Sequence, residues 1–138
     1  MDQAVAMEAR PAATLDRKGL SGPALRMFFR IAGLWGLSVD EQMTLLGLSA
    51  RSTFFKWKKN PDVVLPRDTL ERISYIAGIY KALQILLPDE NAADAWVKRP
   101  NTAPPFGGRS ALDRMMSGQV ADLFLVRQYV DAECGGWA

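Results

Sequence analysis

The sequence predicts an all-α protein built from two helical lobes. Apolar residues recur at helical spacing between Leu25 and Trp35 and again between Ile73 and Leu87, and no stretch alternates apolar and polar residues as a strand would. The chain has 138 residues, of which 49% are apolar and 23% charged. This size and composition suit one ordinary domain, or two small lobes that share a core.

Helix caps and breakers divide the first part of the chain into four predicted helices, after a start over residues 1–20 that is expected to be disordered. Ser38 and Glu41 have the spacing of a capping box, in which each side chain accepts a hydrogen bond from the other residue's backbone N–H. Two apolar stripes on the fourth helix predict burial on two sides. The predicted helices run from Pro23 to Gly36, from Ser38 to Gly47, from Ser49 to about Asn60, and from Pro66 to about Leu87.

Shorter pieces are expected after Pro88. A short helix is predicted from Asp89 to Val97, followed by a loop over residues 99–108 whose three prolines and two glycines exclude regular structure. Ser110 and Asp113 predict a second capped helix, and a last helix is expected between Gly118 and about Cys134. The predicted domains are therefore residues 21–88 and residues 89–138.

The composition argues against several classes of function. The chain has no histidine and one cysteine, Cys134, so the usual general base, a structural zinc site and an intramolecular disulfide are all missing. Its carboxylates are scattered, and we expect no enzyme, cofactor or metal. No segment resembles a secretory signal or a membrane span, which predicts a cytoplasmic protein with no membrane partner.

The segment from Ser38 to Asn60 has the form of a helix-turn-helix. Gly47 permits the left-handed backbone that the turn needs, and Leu48 fills the gap between the helices. Net charge is only +2, but no acidic residue lies between Gln42 and Pro61, where four lysine and arginine residues are found. Such a patch attracts phosphates even on a nearly neutral protein.

The second helix of this motif carries the predicted DNA contacts. Phe54 or Phe55, together with Trp57, is expected to face the core. Residues near the start of such a helix reach base edges, and lysines at its end suit phosphates. The alternative is a solvated basic helix in an ordinary bundle, but the turn, the cap and the charge pattern together favour operator DNA. The predicted contacts are Arg51, Ser52, Thr53, Lys56, Lys58 and Lys59.

The second half of the chain carries a more specific pattern. In AWVKRPNTAPPFGGRSALDRMMSGQVADLFLVRQYVDAECGGWA, a tryptophan precedes Pro-Asn, Phe-Gly-Gly and Ser-Ala-Leu-Asp, and a final helix follows. This run resembles the toxin-binding domain of the Xre/MbcA/ParS antitoxins, which neutralise RES-domain toxins. The resemblance implies an Xre-like helix-turn-helix lobe packed on a C-terminal toxin-binding lobe.

The resemblance also implies partners. Members of this family are bacterial, are encoded beside their toxin, form dimers or larger assemblies, and often repress their own operon. RES toxins deplete NAD, and the antitoxin's C-terminal region covers the toxin's nucleotide-binding cleft. A homodimer within a toxin–antitoxin assembly is therefore expected. The alternative is a stand-alone dimeric helix-turn-helix repressor without a toxin.

Two sets of residues in the second lobe are expected to have different roles. The first builds the lobe: Trp96, Pro100, Asn101, Phe106, Gly107 and Gly108. The second faces the toxin: Arg127, Tyr129, Asp131, Glu133, Trp137 and Ala138. Trp137 either packs back on its own helix or anchors an interface, and the resemblance favours the anchor. We further expect the carboxylate of Ala138, with Asp131 and Glu133, to take the place of the nucleotide's pyrophosphate.

Overall fold

In the computed structural model, the backbone is described for residues 2–135 and the side chains for residues 17–135. The described chain is helical, apart from its turns and one isolated antiparallel bridge between Pro100 and Ser110. The helices are α1 (Asp2–Trp35), α2 (Val39–Leu46), α3 (Arg51–Lys59), α4 (Arg67–Leu86), α5 (Glu90–Ala95), α6 (Ala111–Met115) and α7 (Val120–Glu133), with a 3₁₀ helix at Trp96–Lys98.

The first helix begins earlier than the sequence predicts. α1 starts at Asp2 and continues through Pro23, whereas a disordered start over residues 1–20 was expected. Alanine has the highest helix propensity, and five of the first sixteen residues are alanines, which favours a helix here. The hydroxyl of Ser21, which is buried, accepts a hydrogen bond from the backbone N–H of Leu65 at 2.9 Å and so fixes α1 to the start of α4.

The helix-turn-helix segment follows the prediction at both ends of α2 but not at the start of α3. The capping box is confirmed: Glu41 N–H donates to Ser38 Oγ at 3.1 Å, and Ser38 N–H donates to Glu41 Oε1 at 2.8 Å. Gly47 ends α2 with φ 74°, a left-handed conformation. The predicted cap at Ser49 is wrong, because α3 starts one residue later, with Ala50 at the N-cap and no side-chain cap.

α4 is the central helix of the molecule, as its two apolar stripes predicted. It packs against both α1 and α7. α7 runs beside α4 in the same direction: Phe124 meets Tyr75 with ring centroids 5.6 Å apart, and further along the Cys134 thiol donates to the carbonyl of Ala82 at 3.4 Å. α4 therefore belongs to the cores of both lobes.

The second lobe is organised around capped short helices. Asp89 accepts a hydrogen bond from Asn91 N–H at the start of α5, which continues into the 3₁₀ helix. The capping box of α6 is confirmed, since Asp113 N–H donates to Ser110 Oγ at 3.0 Å and Ser110 N–H donates to Asp113 Oδ2 at 3.1 Å. Within residues 2–135, none of the helices is both long enough and apolar enough to cross a bilayer.

Candidate DNA-binding and toxin-binding surfaces

α3 presents most of the predicted DNA contacts to solvent. Phe54 is fully buried and Trp57 is partly buried, so these two side chains hold α3 on the core. The Phe54 ring meets the Phe29 ring of α1 edge to face, with centroids 5.8 Å apart. Of the six predicted contacts, Thr53 is half-buried and five are exposed: Arg51, Ser52, Lys56, Lys58 and Lys59.

The exposed cations of α3 do not all point the same way. The ammonium of Lys58 lies 5.3 Å from the centre of the Phe29 ring, which places it at the α1 edge of the surface. The carboxylate of Asp62, which follows α3, is paired with Arg26 of α1 at 2.8 Å. This nearby negative charge is therefore partly compensated, and the remaining outward face of α3 is cationic.

The predicted contacts did not include Asp40 or Phe55, which both lie beside Arg51. Arg51 Nη1 is 2.7 Å from Asp40 Oδ1 on α2, so its guanidinium is held from the neighbouring helix. The same guanidinium lies 5.9 Å from the centre of the Phe55 ring, which is 48% exposed. The Phe54-Phe55 doublet left open which ring faces the core. Asp40 and Arg51 are eleven positions apart in the sequence, too far for a local pattern to relate them.

The loop between the 3₁₀ helix and α6 is closed by backbone hydrogen bonds. Asn101 N–H donates to the carbonyl of Arg109 at 3.0 Å, and the carbonyl of Asn101 accepts from Gly108 N–H at 2.8 Å. The side-chain oxygen of Asn101 also accepts from Ala103 N–H at 2.9 Å. Gly107 and Gly108 have φ values of 57° and 90°, which L side chains rarely adopt. These contacts give the loop one defined shape despite its prolines.

Three aromatic rings join this loop to α7. Trp96 stacks on Tyr129 with centroids 6.2 Å apart and an interplanar angle of 22°, and Phe106 meets both rings edge to face. Phe106 is 5% exposed and Tyr129 is partly buried. Burial raises the pKa of the Tyr129 hydroxyl, with a further contribution from the charge of Glu133. Tyr129, predicted to face the toxin, thus also holds its own lobe together.

The remaining predicted toxin contacts differ in their surroundings. Arg127 Nε is 3.6 Å from Asp131 Oδ2, and Arg127 Nη1 is 3.5 Å from the carbonyl of Ser74 on α4. Both side chains are about one-third exposed (34% and 28%). Glu133, at the end of α7, is exposed. The predicted contacts Trp137 and Ala138 lie outside the described residues.

A groove of about 940 Å³ runs between α1 and α4 and is largely apolar. Met27 of α1 and Tyr80 of α4 contribute to its walls. Three cations, Arg30, Lys81 and Arg127, also line the groove, and among the side chains described, residues 17–135, no carboxylate lines it.

Comparisons with known proteins agree with this geometry. Residues 11–78 match the family model of the antitoxin Xre-like helix-turn-helix domain, and residues 82–136 match that of the antitoxin Xre/MbcA/ParS C-terminal toxin-binding domain. A helix-turn-helix lobe followed by a toxin-binding lobe defines a two-lobed antitoxin. The chain belongs to the Xre/MbcA/ParS antitoxin family, as the sequence pattern indicated. The first matched range ends at residue 78 and the second begins at residue 82, so both limits lie within α4.

A curated relative covers most of the chain. The protein described as "Uncharacterized protein y4oB", from Sinorhizobium fredii (strain NBRC 101917 / NGR234), is 55% identical over 112 residues. The aligned region is 81% of this chain and 84% of the relative. The similarity therefore extends across both lobes.

Proposed function

We propose that this antitoxin neutralises a RES-domain, NAD-depleting toxin by covering the toxin's active-site cleft with its C-terminal region, and that it represses its own operon. The observation that carries the first part is the match of residues 82–136 to a toxin-binding domain. The RES identity of the toxin comes from the family resemblance. The proposed site of action is the cytoplasm, where a toxin acts on cellular NAD.

The toxin-binding surface is proposed to lie along the last turns of α7 and the segment that follows. Glu133 is exposed there, and Arg127 and Asp131 each keep part of their surface open. The closed loop at Asn101 and the aromatic packing of Tyr129 support a rigid platform, which reduces the entropy lost on binding. The proposed contacts are Arg127, Tyr129, Asp131, Glu133, Trp137 and Ala138.

The proposed DNA-binding surface is the outward face of α3. In a helix-turn-helix the second helix enters the major groove, with its first residues at base edges. Arg51 and Ser52 are among these first residues and are exposed, and Lys56 and Lys59 near the end of α3 are exposed as well. We propose that these two lysines contact phosphates. Thr53 and Lys58 are the two other proposed DNA contacts, and they lie at the edges of this face.

We further propose that the antitoxin is a homodimer. Leu20, Met27 and Leu34 recur every seven residues on α1 and are 58%, 36% and 45% exposed. Repeats of this period are typical of helices that pack on another helix. Met27→Glu is expected to give monomers in sedimentation analysis, while Lys18→Glu, a charge change away from the stripe, is expected to leave dimers. Dimers of unchanged stability with Met27→Glu would contradict this interface.

A pair of charge reversals tests the two activities together. The toxin gene adjacent to the antitoxin gene is co-expressed, and both toxin co-purification and binding to the antitoxin's own upstream DNA are measured. Glu133→Lys is expected to weaken toxin binding and keep DNA binding, and Lys59→Glu is expected to do the reverse. Both residues are exposed, so neither change disturbs the core.

Deleting Gly135 to Ala138 provides a second test of the toxin surface. The shortened chain is expected to neutralise the toxin less well; undiminished neutralisation would exclude the tail from the interface. A stand-alone repressor, the alternative function, would bind the upstream DNA and retain no toxin in any of these variants.

A further inference from the structure

We propose that Phe55 reads the methyl group of a thymine in the operator, beside the base that Arg51 contacts. This inference rests on the proposed DNA-binding function of α3. It starts from an exposed aromatic side chain at the middle of a helix whose other exposed residues are polar or charged.

The ring of Phe55 makes two contacts within the protein although it is half-exposed. It meets the buried ring of Phe54 edge to face, with centroids 5.2 Å apart and an interplanar angle of 84°. It also lies 5.9 Å from the guanidinium of Arg51, one helical turn earlier. These two contacts orient the ring, and its exposed part presents an apolar surface to whatever approaches α3.

Arg51 also has a contact outside α3, and it lies near Phe55. Its ion pair with Asp40 holds the guanidinium from α2 and leaves it 5.9 Å from the centre of the Phe55 ring. Base pairs in B-DNA are about 3.4 Å apart along the helix axis. Because 5.9 Å lies between one and two base-pair spacings, Arg51 and Phe55 can reach base pairs that are adjacent or one step further along.

The chemistry of the major groove selects the partner of each side chain. Arginine binds guanine O6 and N7, and the thymine C5-methyl group is an apolar feature that phenylalanine recognises in this groove. Contact with this methyl group removes apolar surface of Phe55 from water, which favours binding. Among the α3 residues that are exposed, Phe55 is the one with an apolar side chain, so it is the residue suited to that contact.

Replacing thymine with uracil tests this contact, because it removes the methyl group and keeps the base pairing. The full-length chain is titrated with its own upstream DNA, in which each thymine is replaced in turn by deoxyuridine. At one position per half-site, we expect binding to weaken about fourfold, because burying one methyl-sized group is worth roughly 0.8 kcal/mol. Phe55→Ala is expected to bind the unmodified DNA more weakly and to be insensitive to uracil at that position.

Control variants separate the possible results. Lys56→Ala is expected to weaken binding to every DNA and to keep the uracil sensitivity of the natural chain. Phe55→Leu, which keeps an apolar side chain, is expected to retain part of that sensitivity. Circular dichroism and thermal unfolding check that each variant is folded.

Each remaining outcome decides against the proposal. If the natural chain binds its upstream DNA and no uracil weakens it, the thymine contact is excluded while the proposed DNA binding stands. If Phe55→Ala binds DNA normally but no longer retains the toxin, Phe55 belongs to a protein interface. If the natural chain does not bind the DNA at all, the DNA-binding function and this inference both fall.

Discussion

The guanidinium of Arg127 on α7 lies directly against the backbone of Gly78 on α4. A Cβ atom built on Gly78 would be 2.5 Å from Arg127 Cζ, closer than real side chains come. The absence of a side chain at Gly78 thus makes room for a residue of the proposed toxin-binding surface. In this position Arg127 also borders the groove between α1 and α4, so it connects the two lobes.

This close approach makes Gly78→Ala a test of how firmly Arg127 is held. Gly33, in α1, has no atom within 4 Å of a built Cβ, so Gly33→Ala is expected to raise the free energy of unfolding by about 1 kcal/mol through helix propensity alone. The increase in the free energy of unfolding is expected to be smaller for Gly78→Ala than for Gly33→Ala. The difference should be roughly 0.5–1 kcal/mol, because Arg127 must leave its hydrogen bond and its ion pair. Urea denaturation measures both values. Equal gains would show that Arg127 moves without cost, and in an Arg127→Ala background the two gains should converge.

Tyr129 allows stability and recognition to be measured separately. Tyr129→Ala removes the ring that stacks on Trp96 and meets Phe106, and it is expected to lower the free energy of unfolding by about 2–3 kcal/mol, less than the full cost of a completely buried ring. Tyr129→Phe keeps the ring and is expected to change stability little. If the hydroxyl contacts the toxin, Tyr129→Phe weakens toxin binding in calorimetry. A large loss of stability with Tyr129→Phe would contradict a role based on ring packing.

Asp122 predicts a loss of stability in acid. The hydrogen bond from the Ser117 hydroxyl lowers the pKa of this carboxyl, and Arg114 lowers it further from 2.8 Å away. The folded state therefore binds the proton less tightly than the unfolded state, so this stabilisation is complete above the ordinary aspartate pKa of about 3.9 and is lost as the pH falls through the lower folded value.

Denaturation at several pH values checks this effect. Between about pH 5 and pH 3, the free energy of unfolding of Asp122→Asn is expected to fall less steeply than that of the natural chain. Ser117→Ala, which removes the hydrogen bond but keeps the carboxyl, is expected to show an intermediate slope. Identical acid slopes for all three proteins would exclude Asp122 as a source of the pH dependence.

The lysines of α3 predict the salt dependence of operator binding. Each phosphate contact contributes a slope of about 0.9 to the fall of log K with log salt concentration. Lys56→Ala and Lys59→Ala are each expected to weaken binding to all sequences and to reduce the slope by about that amount. Arg109→Ala removes an equal charge from the other lobe and is expected to change neither quantity. An unchanged slope in both lysine variants would mean that another surface binds the phosphates.

The sequence predicted the elements whose signals are local. The Ser38–Glu41 and Ser110–Asp113 boxes depend on residues three apart, and the two stripes of α4 follow from helical periodicity. The predicted N-cap of α3 was wrong by one residue, since serine is a good N-cap but Ser49 lies one position before the actual N-cap, Ala50. The sequence predicted a helix from Pro23, since proline suits the first turn of a helix, whereas α1 begins at Asp2.

Relationships between distant elements could not be predicted in the same way. The Asp40–Arg51 ion pair, the stacking of Trp96 on Tyr129 and the approach of Arg127 to Gly78 each depend on how two helices pack. Side-chain type alone made Arg127 and Tyr129 plausible contacts for a partner. It carried no information that both also make contacts within this chain.

The proposed neutralisation is tested most directly by the rate at which the toxin consumes NAD. The purified toxin encoded beside this antitoxin is titrated with the full chain, and NAD loss is followed over time. NAD loss is expected to stop when the antitoxin is nearly equimolar to the toxin. The Lys56→Ala/Lys59→Ala double variant is expected to inhibit the toxin as well as the natural chain does, and Glu133→Lys is expected to inhibit it less. Unchanged NAD consumption in the presence of excess folded antitoxin would contradict the account.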